Sequence, residues 1–365
     1  MFRDPFLETV RDKVLSGTRV TLEEGVRCLE SPDLLGLGRI ADQVKRRRTG
    51  DRVTYVVNRQ INPTNVCVLS CRFCDFASKK GRPDAVRMTI AEVLSKCSSD
   101  LREVHIVGGL DPDWSFEDYA GILSAIRDGF PSIQIKAYTA VEIDFFARRA
   151  RLGVREVLLR LKDAGLVCLP GGGAEVFSER VRKLLFPFKI GAPRWLEIHR
   201  TAHGLGIRSN ATLLYGHVET LKERAAHMVR LRELQDETGG FLSFIPLAYQ
   251  PGKTRLSPRD TSAVDDLKTI AVSRILLDNF DHIKSYWVTM GEETASMALH
   301  FGADDLDGTI GEEKIMHAAL SKSPAGLARG KLERLIRDAG MVPAERDALY
   351  NLVREREPEE AALAR

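Results

Sequence analysis

Three cysteines stand close together in the stretch NPTNVCVLSCRFCDF, which runs from residue 62 to 76. Cys67, Cys71 and Cys74 have the spacing C-x3-C-x2-C, and thiolates are soft ligands that suit iron–sulfur clusters and zinc. A structural zinc site would need a fourth protein ligand, and the nearest downstream histidine is His105. Three thiolates on a cubane cluster leave one iron without a protein ligand. Three cysteines therefore suffice for a cluster if the fourth ligand is a substrate or a cofactor.

The rest of the composition is that of an ordinary globular chain. It has 365 residues, 44% of them apolar, and a net charge of +3, which is too small to indicate a nucleic-acid partner. The N-terminal stretch MFRDPFLETVRDKV lacks the apolar core of a signal peptide, and no apolar run approaches the ~20 residues that span a membrane. We therefore expect a cytoplasmic protein with reduced cysteines and no membrane partner. The predicted non-ligands are Cys28, Cys97 and Cys168, which lie in helical or strand patterns.

The order of the predicted elements indicates a barrel. Residues 1–50 read as helices, in which apolar residues recur at helical spacing. From Val53 onwards, short β-rich runs alternate with helical segments, and this alternation implies parallel strands joined by crossover helices. About eight strands in roughly 270 residues fit a TIM-type (β/α)8 barrel better than a doubly wound sheet. We predict an N-terminal helical segment (1–50), a barrel (51–320) and a C-terminal helical extension (321–365), in which Pro343 lies near the start of the second of two helices.

The cysteine loop and two glycine-rich strand ends fall on the face where such barrels place their chemistry. The loop leaves the C-terminal end of the first strand, and Phe73 beside Cys74 is suited to shield a cluster from water. Gly108 and Gly109 end the second strand, and paired glycines let the backbone come close to a ligand. The segment PGGGAE ends the fourth strand in the same manner, with Glu175 as its last residue.

These motifs together resemble the radical S-adenosylmethionine (SAM) superfamily. In that family the C-x3-C-x2-C loop holds a 4Fe–4S cluster, and the amino and carboxylate groups of SAM chelate the open iron. One electron from the cluster then cleaves SAM to methionine and a 5′-deoxyadenosyl radical. The implied metal ligands are Cys67, Cys71 and Cys74, and the implied cofactor-binding residues are Phe73, Gly108, Gly109 and Glu175. Glu175 is read either as a ligand of the ribose hydroxyls or as a carboxylate that a helix N-terminus favours.

A wider set of segments resembles the aminofutalosine synthase family of menaquinone biosynthesis. It includes KAYTAVEI, LPGGGAEVF and FGADDLDGTIGEEKI and extends over most of the chain. The implied reaction adds the 5′-deoxyadenosyl radical to the enol-ether double bond of 3-(1-carboxyvinyloxy)benzoate, with aryl migration and loss of a carboxyl group. SAM is then a co-substrate. The implied partners are this dicarboxylate and an electron donor such as flavodoxin or ferredoxin.

The two carboxylates of that substrate require cations or hydrogen-bond donors in the barrel. In SIQIKAYTAVEI polar and apolar residues alternate, so Lys136 and Tyr138 are predicted to point into the lumen. Tyr215 and His217 fall at the end of the fifth strand, and His217 is read either as a proton carrier or as an ordinary hydrogen-bonding histidine. These four residues are the candidate catalytic set. Further candidate substrate contacts are Arg59, Gln60 and Asn62, which precede the cysteine loop.

One position departs from the family pattern. The glycine pair is followed by Asp111 in GGLDP, where the family pattern GGxHP has a histidine. We expect Asp111 at the mouth of the barrel, where its charge would repel the carboxylates of the substrate. On this reading Asp111→His improves turnover.

Two other functions stay open on the sequence. A sister radical SAM enzyme, such as cyclic dehypoxanthinyl futalosine synthase, shares the cysteine motif and the GGGAE segment. A non-catalytic iron–sulfur or zinc protein would use the cysteines without cleaving SAM, although a purely structural site has no use for the glycine-rich strand ends. His199 and His203 have an i, i+4 spacing that can bind zinc, but without an acidic residue completing the motif they are predicted to be a helix-face pair.

Overall fold

The computed structural model describes residues 2–254, 256 and 261–355. Three helices precede the first strand, namely α1 (Phe6–Ser16), α2 (Leu22–Glu30) and α3 (Leu34–Thr49). α2 begins at a capping box formed by Thr21 and Glu24, and α3 begins at Asp33, whose side chain accepts from a backbone N–H of the first turn. Residues before β1 thus contain helices, as predicted, and these helices pack on later helices of the chain.

The strands form a curled, mainly parallel sheet. In chain order they are β1 (Arg52–Val56), β2 (Asn58–Ile61), β3 (Glu103–Ile106), β4 (Gln134–Ala137), β5 (Leu166–Leu169), β6 (Arg208–Tyr215), β7 (Phe241–Ala248), β8 (His282–Ile283), β9 (Asp305–Gly308), β10 (Val342–Arg346) and β11 (Leu352–Glu355). β2 to β8 form a seven-stranded sheet in which each strand is parallel to the next. β1 lies between β9 and β10 in a second sheet.

The two sheets join into one barrel. Only Val57 separates β1 from β2, so these two strands occupy one position in the ring. On the other side, Lys284 next to β8 forms a parallel bridge to Asp305 of β9, and β9 pairs in parallel with β1. The pairing therefore runs from β2 round to β9 and back, and the predicted TIM-type barrel is confirmed.

Helices follow the strands and cover the outside of the barrel. They are α4 (Ile90–Leu94), α5 (Phe116–Gly129), α6 (Ala140–Ala150), α7 (Val154–Asp163), α8 (Glu179–Leu185), α9 (Ala192–Gly204), α10 (Leu221–Thr238), α11 (Ala263–Leu276), α12 (Trp287–Met290), α13 (Glu292–Ala298), α14 (Ile315–Ala318) and α15 (Arg329–Asp338). Capping boxes start α4, α5, α6 and α10, so Thr/Ser-x-x-Glu/Asp sequences fix where these helices begin. Across the part of the chain that the structure describes, no helix has both the length and the apolar character that crossing a bilayer requires.

The C-terminal extension differs from the prediction. α15 agrees with the first of the two predicted helices, but the second helix is wrong, because Val342–Arg346 is strand β10. β10 pairs with β1, and β11 returns antiparallel beside it. The edge of β1 needs a strand to satisfy its hydrogen bonds, and this pairing decides the structure of the segment, because a proline at the start of the segment is compatible with a helix as well.

The loop after β10 closes the N-terminal end of the barrel. Arg346 donates to Asp305 at the start of β9 at 2.5 Å, and Gln134 at the start of β4 donates to Asp347 at 3.0 Å. The backbone N–H of Ala348 in turn donates to the Gln134 side chain at 2.7 Å. This loop therefore covers the barrel at the end opposite to the one where the strands have their C-termini.

Candidate active site

A cavity of about 290 Å³ opens at the C-terminal ends of the strands. Its upper wall brings together the cysteine loop and the two glycine-rich strand ends, with Cys67, Cys71, Cys74, Gly108, Gly172, Gly173 and Glu175 among the lining residues. Its lower wall consists of side chains that point inward from the strands, namely Gln60, His105, Thr212, Ile245 and Asp307. The sequence motifs that lie far apart in the chain thus face one chamber.

The cysteine loop is held by backbone contacts on both sides. Cys67 donates its N–H to Ser78 O at 2.9 Å within the loop, and Val68 donates to Leu110 O beyond β3 at 3.0 Å. Lys79 extends its Nζ to the carbonyl oxygens of Cys67 and Val68 at 3.0 and 3.3 Å. Hydrogen bonds within the loop and to the segment after β3 therefore fix the backbone around Cys67.

The three thiols suit a cluster better than a single ion. Burial raises the pKa of the Cys71 thiol to about 11 and also raises the pKa of Cys74, while the positive charge of Lys189 acts in the opposite direction on both. Within the described residues, no three His, Cys, Asp or Glu side chains converge closely enough to hold one metal ion. A cubane cluster does not need such convergence, because each thiolate binds a different iron. The donor set on this wall of the cavity therefore fits a 4Fe–4S cluster.

The two glycines after β3 have different surroundings. Gly108 lines the cavity, and its N–H donates to the Glu142 carboxylate at 3.0 Å. Gly109 is buried against the cysteine loop, where its N–H donates to Thr64 O at 2.8 Å and an added Cβ would lie 2.2 Å from Val66 O. The predicted contact with a cofactor is thus open to Gly108, whereas Gly109 is required for the close approach of the strand to the loop.

Glu142 was not among the residues predicted from the sequence. It is the third residue of α6, and its carboxylate accepts from both the N–H and the hydroxyl of Thr139 as well as from Gly108. Burial raises the pKa of Glu142 to about 7, against the lowering effect of these hydrogen bonds. The signal for it was present in the sequence, because T-x-x-E directly after a strand is a capping box on the catalytic face.

Glu175 and Lys189 form a buried ion pair in the cavity wall. Lys189 also lies over the ring of Phe73 at 5.2 Å, and Phe73 packs edge-on against Phe186 with ring centroids 5.8 Å apart. Glu175 precedes the N-cap of α8, Ser178, so the interpretation as a helix-terminal carboxylate is wrong. Phe73 and Glu175 both line the cavity, and their predicted contact with a cofactor stays a prediction. Lys189 lies in the α8–α9 loop, and no local sequence motif marks it.

Lys136 and Tyr138 do not line the cavity. Lys136 does point into the barrel, but its Nζ pairs with Glu103 at 2.6 Å, and both side chains are buried. Tyr138 lies outside the sheet, where its hydroxyl donates to Tyr119 O at 2.7 Å and its ring packs against Phe146. The predicted alternation fails because β4 ends at Ala137 and Tyr138 has a φ of 60°, which turns its side chain into the helical layer.

Tyr215 and His217 are also directed away from the cavity. Tyr215 is the last residue of β6, and its hydroxyl donates to Asp266 of α11 at 2.6 Å on the outer face of the sheet. His217 accepts from the N–H of Val218 at 2.7 Å through Nδ1 and donates to Leu214 O at 3.0 Å through Nε2. Burial lowers the pKa of His217, so the ring is a neutral organiser of the turn and the hydrogen-bonding interpretation fits it.

Asp111 is not exposed to the cavity either. Its carboxylate is fully buried and receives a bidentate contact from Arg87, and its own N–H donates to Tyr119 Oη at 2.9 Å. The expectation that this charge faces the substrate is therefore wrong, because Arg87 neutralises it behind the wall of the cavity.

The remaining candidates from the sequence also divide into residues that line the cavity and residues that do not. Of the three residues before the cysteine loop, Gln60 lines the cavity, Asn62 donates to Val107 O at 2.9 Å, and Arg59 lies 3.8 Å from Glu312. His199 and His203 share Ser209 Oγ at 2.9 and 2.8 Å between α9 and β6, so they are a helix-face pair as predicted. The three cysteines outside the loop are buried, as expected for apolar packing; they are Cys28, Cys97 and Cys168.

His105 is a third cavity residue, beside Glu142 and Lys189, that sequence reasoning missed. It lies on β3 between Glu103 and Val107, so the period of two that places Val107 on the inner wall places His105 there too. Burial lowers the pKa of His105 to about 3, and its Nε2 is buried without a hydrogen-bond partner among the described residues. The neutral His105 ring therefore faces the cavity at its lower wall, with a ring nitrogen that has no partner among the described residues.

Fold and site together define a barrel enzyme with a three-thiol loop at its open end. Two family descriptions match the chain: the radical SAM superfamily over residues 61–231 and the CofH/MqnC C-terminal region over residues 238–359. The chain belongs to the radical SAM superfamily, in the group of aminodeoxyfutalosine synthases and their sister enzymes. It is thus a radical SAM transferase that uses a 4Fe–4S cluster and S-adenosylmethionine.

Curated relatives cover nearly the whole chain. Aminodeoxyfutalosine synthase of Thermus thermophilus is 46% identical over 96% of this chain and 97% of its own length, and that of Streptomyces coelicolor is 43% identical over 95% and 94%. The cyclic dehypoxanthine futalosine synthase of Streptomyces coelicolor is 38% identical over 94% and 88%. Among solved structures, methylornithine synthase superposes with a TM-score of 0.73 at 18% identity, over 92% of this chain and 97% of that one, which supports the fold alone.

Proposed function

We propose that this chain is an aminodeoxyfutalosine synthase that joins the 5′-deoxyadenosyl group of SAM to 3-(1-carboxyvinyloxy)benzoate, with rearrangement and decarboxylation. Support comes from identities of 46% and 43% to two enzymes of that name, against 40% and 38% to the uracil–tyrosine 4-hydroxyphenyl transferase of Methanoculleus marisnigri and the cyclic dehypoxanthine futalosine synthase. The observation that carries the proposal is the single chamber shared by the cysteine loop, the glycine-rich strand ends and the strand side chains below them.

In this proposal the upper wall holds the cofactors. Cys67, Cys71 and Cys74 bind the cluster as thiolates, and Gly108 and Glu175 border the space beside them. When bound, the cluster and SAM supply a 5′-deoxyadenosyl radical. Phe73 lies at this wall, and its ring excludes water from one side of the thiols.

The lower wall holds the benzoate substrate through neutral donors. Among the described residues that line the cavity, Lys189 is the one lysine or arginine, and Glu175 already neutralises it. The two carboxylates of the substrate therefore depend on hydrogen bonds from uncharged groups such as the His105 ring, Gln60 and Thr212. This assignment replaces Lys136, Tyr138, Tyr215 and His217 as the substrate residues.

The experiment is an anaerobic incubation of the reduced, cluster-loaded protein with SAM and one substrate at a time. The three substrates are 3-(1-carboxyvinyloxy)benzoate, dehypoxanthine futalosine, and 5-amino-6-(D-ribitylamino)uracil with tyrosine, and products are identified by mass. We expect aminodeoxyfutalosine from the benzoate and no turnover of the other two. Product from either of the others assigns the chain to a sister reaction, and release of no methionine from SAM with any substrate supports a non-catalytic cluster protein.

His105→Ala tests the lower wall in the same assay. The variant is expected to cleave SAM but to form the product about tenfold more slowly, since one buried hydrogen bond to a charged group is lost. His300→Ala changes an exposed histidine and serves as the matched control. Equal product rates for His105→Ala and the wild-type protein would contradict the role of this ring.

A further inference from the structure

A short helical segment after β9 forms one side of the cavity. α14 and the residues next to it contribute Glu313, Ile315, Met316 and Ala319 to the lining. In the ring of strands β9 lies opposite β5, so this side of the cavity faces the GGGAE segment that follows β5. We call residues 313–323 the α14 segment. Its apolar side chains suit the aromatic ring of the proposed substrate.

The α14 segment depends on side-chain contacts for its position. α14 itself has four residues, and a helix of one turn is unstable in water without other contacts. The Glu313 carboxylate supplies two such contacts, since it accepts from the N–H of Ile315 at 2.8 Å and from that of Met316 at 2.7 Å. Near the other end, the Ser321 hydroxyl donates to Val288 O of α12 at 2.7 Å. The place of Ile315 and Met316 in the cavity wall is therefore set by polar groups of the segment.

His317 joins the two ends of the α14 segment. Its Nδ1 lies 2.6 Å from Glu313 O, and its Nε2 lies 2.7 Å from Ser323 O. A carbonyl oxygen can only accept a hydrogen bond, and a neutral imidazole has a single N–H. Only the imidazolium can therefore donate to both oxygens, whereas in the neutral ring one nitrogen lone pair opposes a carbonyl lone pair. The His317 side chain is 27% exposed, so it can exchange its proton with solvent.

The groups in contact with His317 favour its protonated form. Burial lowers the pKa of His317, but the hydrogen bonds to Ser323 and Glu313 and the negative charge of Glu313 outweigh this effect and raise the pKa above its ordinary value of about 6.5. The Glu313 carboxylate lies 3.2 Å from Nδ1 and is 1% exposed, and burial raises its pKa. Tyr286, just before α12, faces Glu313, and burial raises the pKa of Tyr286 so far that its hydroxyl stays neutral.

The surrounding elements bring further charged groups, but the contact with the ring is made by Glu313. Gly252 of the β7–α11 loop packs between Ala319 and the cysteine loop, since an added Cβ would lie 2.9 Å from Ala319 Cα and 2.2 Å from an Asp75 oxygen. The charged groups of these elements are Glu312, Lys314 and Lys322 beside or within the α14 segment, Lys96 and Arg59, which pair with Glu312, and Lys253 and Asp75 of the two loops.

We propose that His317 is a positioning residue for the benzoate substrate, because its imidazolium fastens the α14 segment against the cavity. The protonated ring ties Glu313 to Ser323 and keeps Ile315 and Met316 in place beside the substrate. Loss of the proton removes one of the two hydrogen bonds, so the segment loosens. Since the folded-state pKa of His317 is raised, the fastening is complete below about pH 6.5 and is lost as the pH rises through that pKa. The inference rests on the proposed function for the identity of the substrate.

Two substitutions of His317 separate its charge from its bulk. His317→Gln removes the charge, and His317→Arg keeps a positive charge at every pH used. His300→Gln changes an exposed histidine and is the matched control. Product formation by the cluster-loaded proteins gives kcat and the KM for the benzoate and for SAM at pH 6 and pH 9. Amide hydrogen exchange of residues 313–323, compared between proteins at the same pH and without substrate, reports the fastening independently of turnover.

At pH 6, His317→Gln is expected to raise the KM for the benzoate about fivefold and to leave kcat and the KM for SAM unchanged, because one hydrogen bond that fastens the wall is lost. The wild-type KM for the benzoate should rise by a similar factor between pH 6 and pH 9, and His317→Arg should show no such rise. In the exchange experiment at pH 6, the α14 segment should exchange faster in His317→Gln than in the wild-type protein or His317→Arg. The control should match the wild-type protein throughout.

Three results would overturn the role of His317. They are an equal KM for the benzoate in His317→Gln and the wild-type protein at pH 6, a wild-type KM that rises no more than that of His317→Arg, and a fall in kcat at both pH values, which is the mark of a merely structural residue. Identical exchange in all proteins would overturn it as well, even if the benzoate is turned over. No turnover of the benzoate by the wild-type protein, together with the expected exchange differences, would contradict the proposed function and leave the fastening by His317 supported.

Discussion

Arg87 donates two parallel hydrogen bonds to Asp111, from Nε to Oδ2 at 2.5 Å and from Nη2 to Oδ1 at 2.8 Å. Asp111 follows the glycine pair after β3, and Arg87 ends the segment that begins with the first cysteine. Thr64, just before that cysteine, forms a bridge to Arg87 and donates to Asp111 at 3.4 Å. The ion pair therefore ties both ends of the cysteine segment to the barrel.

Breaking this pair should loosen the cysteine segment. Arg87→Met leaves a buried carboxylate with fewer donors, and we expect a loss of roughly 1–3 kcal/mol in the free energy of unfolding and faster loss of iron. Thermal unfolding and iron release to a chelator, both under anaerobic conditions, measure the two effects. Arg160→Met removes an exposed i, i+4 pair with Glu156 and is the control, expected to change little.

Asp111→His should act in the same direction as Arg87→Met. An imidazole cannot accept two hydrogen bonds from Arg87, and a protonated one would place two positive charges together. The variant is therefore expected to retain less iron and to turn over the benzoate no faster than the wild-type protein. Faster turnover would restore the expectation, drawn from the family pattern, that this residue faces the substrate.

Lys136 is expected to stabilise the barrel and not to take part in catalysis. Burial alone would raise the pKa of Glu103, but the charges of Lys136, Arg346 and Lys284 hold it down at about 2. Because the folded-state pKa lies below the ordinary value, this stabilisation is present above about pH 4.5 and is lost as the pH falls towards 2. Lys136→Met should therefore lower the free energy of unfolding by about 3–5 kcal/mol, as for other buried pairs that lose one partner.

The double variant Lys136→Met/Glu103→Gln checks this account. It removes the buried charge that the single variant leaves unpaired, so it should recover much of the lost stability and show a weaker acid dependence. Turnover per folded, cluster-loaded molecule should be unchanged in both variants. A large fall in that turnover at normal stability would return Lys136 to the catalytic set.

Glu142 should make the protein less stable as the pH rises. Its pKa is raised to about 7 by burial, so between about pH 4.5 and 7 the folded chain keeps a proton that the unfolded chain has lost. The free energy of unfolding should therefore fall across this window, by about 3 kcal/mol in total for this group. Glu142→Gln should remove that slope, measured as the unfolding free energy at pH 5 and pH 8. Glu117→Gln on the exposed face of α5 is the control, and identical slopes in all three proteins would refute the shifted pKa.

The sequence was informative where a motif and a strand end coincide. The C-x3-C-x2-C spacing, the GG pair and the GGGAE segment each follow a predicted strand, and parallel strands bring their C-terminal ends to one face of a barrel. That reasoning placed Phe73, Gly108 and Glu175 at the cavity together with the cysteines. This placement holds even where the predicted end of a strand is wrong by one residue.

The direction in which a side chain points does depend on the exact end of its strand, and the predictions of side-chain direction were wrong for this reason. Tyr138 lies one residue past the end of β4, so a period of two no longer applied to it. On β6, Thr212 and Leu214 face the cavity, and the same period puts Tyr215 on the outer side. Sequence reasoning missed Lys189 for another reason. The α8–α9 loop brings Lys189 to Glu175 by tertiary packing, and no local sequence pattern marks it. In the C-terminal extension, pairing with β1 overrode the helical reading of the segment at Pro343.

The cysteine assignment is the centre of the account, and a matched series of serine variants tests it. Cys67→Ser, Cys71→Ser and Cys74→Ser should each lose most of the iron after anaerobic reconstitution, whereas the wild-type protein should bind about four irons per chain. The internal controls are Cys28→Ser, Cys97→Ser and Cys168→Ser, whose cysteines are buried away from the loop and should not be needed for iron binding.

The most direct measurement is the electron paramagnetic resonance spectrum of the reduced protein with and without SAM. The wild-type protein and the three control variants should give a 4Fe–4S signal that changes when SAM is added, as expected if SAM binds the iron that has no thiolate ligand. The three loop variants should give neither the signal nor the change. A tightly held zinc with no cluster signal in the wild-type protein, or loss of the signal in Cys97→Ser with retention in Cys71→Ser, would contradict the account.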